Sequence, residues 1–216
     1  MVELKFCGLT RAADAACAVS LGAAYLGTIF AGGPRLRTAS EARAIFDGVA
    51  SAGSVQRVGV FGAQPASEIT AIAVEAGLHV VQLHGESGPS LVEALRRSFS
   101  GEIWRVMRVR GAAHPGALRA AAAGVEGLVL DAHVDGQLGG TGVTLDWGTL
   151  AAALDAAGRP ARLILAGGLT SANVGEAVRL VAPDVVDVSS GVESAPGIKD
   201  HVRMRAFFSA AQGRAG

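Results

Sequence analysis

Eight short apolar runs, each closed by a turn and followed by a stretch with helical spacing, predict a single (β/α)8 barrel over residues 1–216. Three observations carry this reading. The runs begin near residues 2, 25, 56, 79, 102, 127, 162 and 185, so most units are about 23–25 residues long, the size of one strand, one helix and two turns. Several runs, such as Leu163-Ile164-Leu165-Ala166, are continuously apolar, as expected of parallel strands buried on both faces. The chain also lacks a G-x-G-x-x-G turn after its first strand, where Cys7-Gly8-Leu9-Thr10 stands, which disfavours the competing open doubly wound sheet.

Unit one opens with Val2 to Phe6 and continues into an alanine-rich helix, for which Thr10 is the expected cap, to about Leu21. Unit two has the strand Tyr25 to Phe30, the loop Ala31 to Arg37, and a helix opened by a Thr38–Glu41 capping box. Ala42, Ile45, Phe46 and Val49 are its buried stripe. Unit three pairs Arg57 to Phe61 with a helix carrying Ile69, Ile72, Ala73 and Ala76, closed by Gly77. Unit four runs from His79 to His84, then into a helix led by Pro89; unit five runs from Ile103 to Met107, then into a helix after Pro115. Unit six is Leu128 to Leu130, ending at Asp131, with a long loop before the Asp146-capped helix. Unit seven ends at Gly167-Gly168, and Thr170 or Ser171 is the expected cap of a helix with Val174, Ala177, Val178 and Val181 on one face. Unit eight is Val185 to Val188, closed by Ser189-Ser190-Gly191, and the last helix starts near Asp200.

Bulk numbers narrow the function. Half of the residues are hydrophobic and 18% are charged, with a mean hydropathy of +0.39. Nineteen basic residues balance nineteen acidic ones, and no basic run points to a nucleic-acid partner. No apolar run reaches the roughly 18 residues of a membrane span. The start of the chain has neither a basic n-region nor a long apolar h-region. The expectation is a cytoplasmic protein, monomer or homodimer, with free thiols at Cys7 and Cys17.

Barrel active sites lie at the C-terminal ends of the strands, so polar residues there are the candidates. They are Cys7 after strand one, Gln82 and His84 of strand four, Asp131 of strand six, and Asp187, Ser189 and Ser190 of strand eight, with Arg35 from the loop after strand two. Cys7 is either a small buried hydrophobe, as most cysteines are, or, because it sits before a helix that favours its thiolate, a base. Asp131 is a candidate acid or base, or else a loop ion pair. A guanidinium at Arg35 suits a carboxylate. Backbone N–H groups at Gly167-Gly168, with the Ser189, Ser190 and Gly191 turn and any short helix after it, suit a phosphate. The five histidines show no metal-ligand spacing, so no metal site is expected.

These residues, in this order, resemble the phosphoribosylanthranilate isomerase family. The matching segments are Lys5-Phe6-Cys7-Gly8-Leu9-Thr10, Val81-Gln82-Leu83-His84-Gly85, Leu130-Asp131, Gly139-Gly140-Thr141-Gly142 with Asp146-Trp147, Leu165-Ala166-Gly167-Gly168-Leu169, and Asp187 through Glu193, followed by Pro196-Gly197-Ile198-Lys199-Asp200. The resemblance implies an Amadori rearrangement in tryptophan biosynthesis, without metal or organic cofactor, on a small phosphorylated substrate. It implies Cys7 as general base, Asp131 as general acid, Arg35 on the anthranilate carboxylate, and Gln82, His84, Gly140 and Asp187 around the substrate. Gly32-Gly33-Pro34 stands where many relatives have a serine, which leaves Arg37 as a rival to Arg35. The alternatives are another sugar-phosphate barrel, such as an epimerase or a thiamine-phosphate synthase-like enzyme, and a barrel that binds a phosphorylated ligand without catalysis.

Overall fold

A computed structural model describes residues 1–49, 55–85, 88–109, 111–131 and 146–213. Eight parallel strands close into a barrel in sequential order, β1 pairing with both β2 and β8. They are β1 (Glu3–Phe6), β2 (Tyr25–Ile29), β3 (Gln56–Phe61), β4 (Val80–Leu83), β5 (Glu102–Arg108), β6 (Gly127–Asp131), β7 (Arg162–Ala166) and β8 (Val185–Val188). The helices are α1 (Ala12–Ser20), α2 (Ala39–Asp47), α3 (Ala66–Ala76), α4 (Pro89–Arg96), α5 (Pro115–Ala122), α6 (Trp147–Ala157), α7 (Val174–Val181) and α8 (His201–Ala211).

Side chains alternate along each strand, so one set points at the helices and the other into the barrel. The outward set, including Leu4, Phe6, Leu26, Val81, Leu83 and Leu165, joins the apolar stripes of the helices in the larger core. The inward set forms a separate layer of Tyr25, Val58, Val80, Trp104, Val129, Ile164 and Val185, which fills the N-terminal half of the barrel. The next inward positions toward the C-terminal ends are different in kind. Lys5, Gln82 and Asp187 are buried there, and Gly27 lets β1 and its Cys7 approach too closely for a Cβ.

Local chemistry explains most helix boundaries. Thr38 and Glu41 form the expected capping box, Asp146 accepts from the N–H groups of Gly148 and Thr149, and Asp200 does the same for Val202 and Arg203. Gly77 and Gly158 close α3 and α6 in the left-handed region.

Four details depart from expectation. Thr10 does not cap α1; Arg11 takes the cap position, and the Thr10 hydroxyl donates to the Gly197 carbonyl at 2.5 Å. A tertiary acceptor has won over the local one. Neither Thr170 nor Ser171 caps α7, because a turn held by the Thr170 N–H to the Asn173 side chain delays the helix to Val174. The short helix beyond strand eight begins at Ser190 and contains Gly191 instead of following it. A small antiparallel hairpin, β9 (Glu193–Ala195) and β10 (Ile198–Lys199), precedes α8 and was not anticipated.

Candidate active site

The C-terminal end of the barrel holds a cavity of about 400 Å³, within the size range of small-molecule sites. Its floor comes from inward strand positions: Val60, Gln82, Val106, Val129, Ala166 and Asp187. Its polar rim carries Cys7, His84, Asp131, Gly167, Gly168, Ser189, Ser190 and Gly191. Cys7 and Asp131, about 125 positions apart in the chain, therefore meet at one end of the barrel over one cavity. Gly140 and the Gly139–Gly142 segment lie outside the described residues.

Period-two spacing assembles the rim. Lys5 and Cys7 share the inner face of β1 and its extension, as do Gln82 and His84 on β4, and Asp187 and Ser189 on β8. Lys5 lies opposite Asp187 in the β1–β8 register, and its Nζ donates to Asp187 Oδ2 at 2.7 Å with Lys5 fully buried. Buried charges persist only when paired in this way. The other Asp187 oxygen, Oδ1, and Gln82 Oε1 are buried acceptors with no protein donor among the described residues. Both suit hydroxyl donors of a ligand.

Gly27 sets the space beside the sulfur. A Cβ built there would stand 3.0 Å from Cys7 Sγ and 3.3 Å from Lys5 Cε. Burial pushes the Cys7 thiol up; the Lys5 cation opposes that shift, the Asp187 charge adds to it, and Lys199 opposes it again. Burial pushes His84 down, against the nearby Asp131 charge. Gly167 and Gly168 take φ values of 86° and 66°, a left-handed pair that only glycine adopts freely, and both line the cavity.

Arg35 is not part of the cavity wall. Its guanidinium is engaged by Glu193 through two hydrogen bonds, Nε to Oε1 at 2.8 Å and Nη2 to Oε2 at 2.6 Å. Its chain nevertheless crosses the rim, because a Cβ on Gly8 would meet Arg35 Cδ at 2.6 Å and Ser189 Oγ at 2.9 Å. Arg37 donates instead to the carbonyl of its neighbour Leu36. Of the two arginines, Arg35 lies over the residue that follows Cys7.

Sequence reasoning missed three charged groups near the rim: Lys5, Glu193 and Lys199. Lys5 carried a usable signal, since it precedes Cys7 by two on an alternating strand. Glu193 and Lys199 stand inside segments that resemble the family, but no pattern in the residues announces their burial, which depends on the β9–β10 hairpin. Among the described residues no group of three or more His, Cys, Asp or Glu side chains is arranged for a metal ion, and no helix is long and apolar enough to cross a membrane.

Comparison with known proteins gives a consistent picture. The family model for N-(5'phosphoribosyl)anthranilate (PRA) isomerase matches residues 4–210. An N-(5'-phosphoribosyl)anthranilate isomerase of Geobacter sulfurreducens is 41% identical over 214 residues, 99% of this chain and 100% of the relative. The crystal structure of phosphoribosyl anthranilate isomerase from Thermotoga maritima superposes with a TM-score of 0.85 at 34% identity, covering 99% of this chain and 100% of that one. A further structure of this isomerase, in complex with reduced 1-(o-carboxyphenylamino)-1-deoxyribulose 5-phosphate, has a TM-score of 0.81 at 32% identity and covers 99% and 100%.

Proposed function

The chain belongs to the N-(5'-phosphoribosyl)anthranilate isomerase family, and from that premise we propose how its own residues carry the reaction. The activity is the Amadori rearrangement of N-(5-phosphoribosyl)anthranilate to 1-(2-carboxyphenylamino)-1-deoxyribulose 5-phosphate, a step of tryptophan biosynthesis, performed in the cytoplasm by acid and base groups of the chain. The observation that carries the assignment of roles is the shared cavity: a thiol, a carboxyl and two turns rich in glycine and serine all face the same space.

Asp131 gives its proton to the ribose ring oxygen. The C1′–O bond breaks, the oxygen leaves as the C4′ hydroxyl, and the nitrogen lone pair forms a C1′=N bond. The resulting imine cation is an electron sink that acidifies C2′. Cys7, as thiolate, removes the C2′ proton; that electron pair becomes the C1′=C2′ bond of an enolamine as the C1′=N π pair returns to nitrogen. Proton transfer from the C2′ hydroxyl and to C1′ then gives the ketose. Acid and base groups of this kind typically contribute ~10²–10⁴-fold each.

The pair needs one proton between its two members. In the reactive form the proton is on Asp131 and the sulfur is charged. Burial opposes that thiolate, whereas the Lys5 ammonium and the new imine cation favour it. Gly167, Gly168, Ser189, Ser190 and Gly191 hold the 5′ phosphate. Gln82, His84 and Asp187 meet the pentose. Arg35 takes the anthranilate carboxylate. Binding the phosphate far from C1′ and C2′ turns remote contacts into position at the reacting carbons.

The test is a fluorescence assay of the anthranilate adduct, generated in place, with purified protein in a metal chelator. Consumption of the adduct at a rate proportional to enzyme is the expected result. No turnover under these conditions, with the protein folded by circular dichroism, overturns the assignment.

A further inference from the structure

Arg35 is anchored by a carboxylate that is itself shared. Glu193 Oε1 accepts from Arg35 Nε at 2.8 Å and from Lys199 Nζ at 2.8 Å. The same Lys199 ammonium donates to Ser189, at 3.1 Å to the carbonyl and 3.4 Å to the hydroxyl. A continuous chain therefore runs from the loop after β2, through the hairpin, to the turn after β8. Its inner members are buried: the Glu193 side chain is 5% exposed and that of Lys199 is 0% exposed. Neither lines the cavity.

Two features of this chain point outward to a ligand. Within it, two cations share one carboxylate, which favours a further anion beside the cup while the Cys7 thiol is neutral. Burial pushes the Lys199 ammonium down, whereas Glu193 and a charged Cys7 favour it. The second feature is stereochemical. A guanidinium has two edges able to hold a carboxylate by paired hydrogen bonds, Nε with Nη2 and Nη1 with Nη2. Glu193 occupies the first edge. The second edge can receive another carboxylate without release of the first. Burial pushes the Glu193 carboxyl up, but the hydrogen bonds from Arg35 and Lys199 outweigh it and hold the group below its usual range.

We propose that Glu193 and Lys199 are positioning residues that join the two ends of the substrate site: Glu193 grips Arg35 by its inner edge so that the outer edge meets the anthranilate carboxylate, and Lys199 ties that arrangement to Ser189 in the phosphate cup. The proposal rests on the reading of Arg35 as the carboxylate group, and the experiment separates the two.

The test is steady-state kinetics of Glu193→Gln, Arg35→Ala and the double variant, with inorganic phosphate and free anthranilate as inhibitors. Glu193→Gln keeps the shape of the side chain and removes its charge. We expect its KM to rise about tenfold or more with kcat within about threefold, and anthranilate to inhibit more weakly by a similar factor. The double variant should be no worse than Arg35→Ala within about twofold, because Glu193 acts through Arg35. Lys199→Met should weaken inhibition by inorganic phosphate. Wild-type KM in Glu193→Gln, or fully multiplicative losses in the double variant, overturns the coupling. If Arg35→Ala itself leaves KM unchanged, the reading of Arg35 fails first. Should Glu193→Gln not fold, Arg35→Lys decides the matter. One ammonium lacks the two edges, so KM should rise as in Arg35→Ala, and a wild-type KM overturns the proposal.

Discussion

The two ends of the barrel interior are built on opposite terms. At the N-terminal end Tyr25, Val58, Val80, Trp104, Val129, Ile164 and Val185 pack into one layer. Tyr25 and Trp104 meet edge to face with centroids 4.9 Å apart, and Trp104 is fully buried. Its indole N–H is satisfied by Glu102 at 2.8 Å, while Arg162 pairs with Glu3 at the margin. At the C-terminal end the same inward faces present Lys5, Gln82 and Asp187, with acceptor atoms that lack protein donors. One end is closed by apolar and aromatic packing that holds the strands together; the other turns carboxylate and amide oxygens into a cavity open to a ligand. The difference teaches that a barrel separates stability from chemistry along its axis, because strand alternation repeats at each level while the residue types change.

If that separation holds, substitutions at the two ends should fail in different assays. The largest effect is expected from Cys7→Ala and Asp131→Asn, each lowering kcat by about 10³-fold or more with the melting temperature changed by only a few degrees. Retention of a tenth of the activity in Cys7→Ala would sink the sulfur as base. Trp104→Ala should do the reverse. It empties a large volume from the closed layer and should cost ~3–5 kcal/mol in denaturant titration, while kcat/KM per folded molecule stays close to wild type. A smaller effect belongs to Gly27→Ala at the boundary between the layers. Its methyl would press on Cys7 Sγ, the Cys7 Cα and Lys5 Cε, so kcat should fall several-fold and stability by about 1–3 kcal/mol. Equal kinetics for Gly27→Ala and wild type would mean that the sulfur has room to move.

Much of this architecture was legible in the residues, and the reason is local. Glycine at Gly77 and Gly158, Thr38 with Glu41, and Asp146 each act within one turn of the chain, so their effects are written where they occur. Cys7, Asp131 and the turn residues were legible because barrel topology sends strand ends to one face whatever the loops do. Thr10 was misread because its partner, Gly197, is 187 positions away. Arg35 was placed on the correct loop, but its engagement with Glu193 depends on a hairpin of only a few residues that no periodicity announces. Lys5 was given no role of its own; its burial follows from the pairing with Asp187 across the closing seam of the barrel. Long-range polar partners, in short, are what single-residue propensities leave out.

Acid and alkali should distinguish the two ends most finely. The chain has one tyrosine, so phenolate absorbance reads Tyr25 alone. Burial pushes its hydroxyl up to about 12 from 10.0, against the nearby Arg162 and with Glu3 and Glu102 adding to the rise. The folded state therefore keeps the proton that the unfolded chain gives up near pH 10. The stabilisation is complete below that pH and is lost as pH rises toward about 12. At the open end the sign is reversed. Glu193 and Asp14 are held below the usual carboxylate range, Asp14 by Arg11, His201 and the Lys199 N–H against its own burial. Their contribution is present above the unfolded values and disappears as pH falls through the folded ones. Amide exchange should accordingly rise first in the Glu193–Lys199 hairpin on acidification and first around β2 and β5 on alkalinisation. Tyr25→Phe should flatten only the alkaline limb, and a tyrosine titration centred near 10 in the folded protein would remove the basis for calling the N-terminal layer closed.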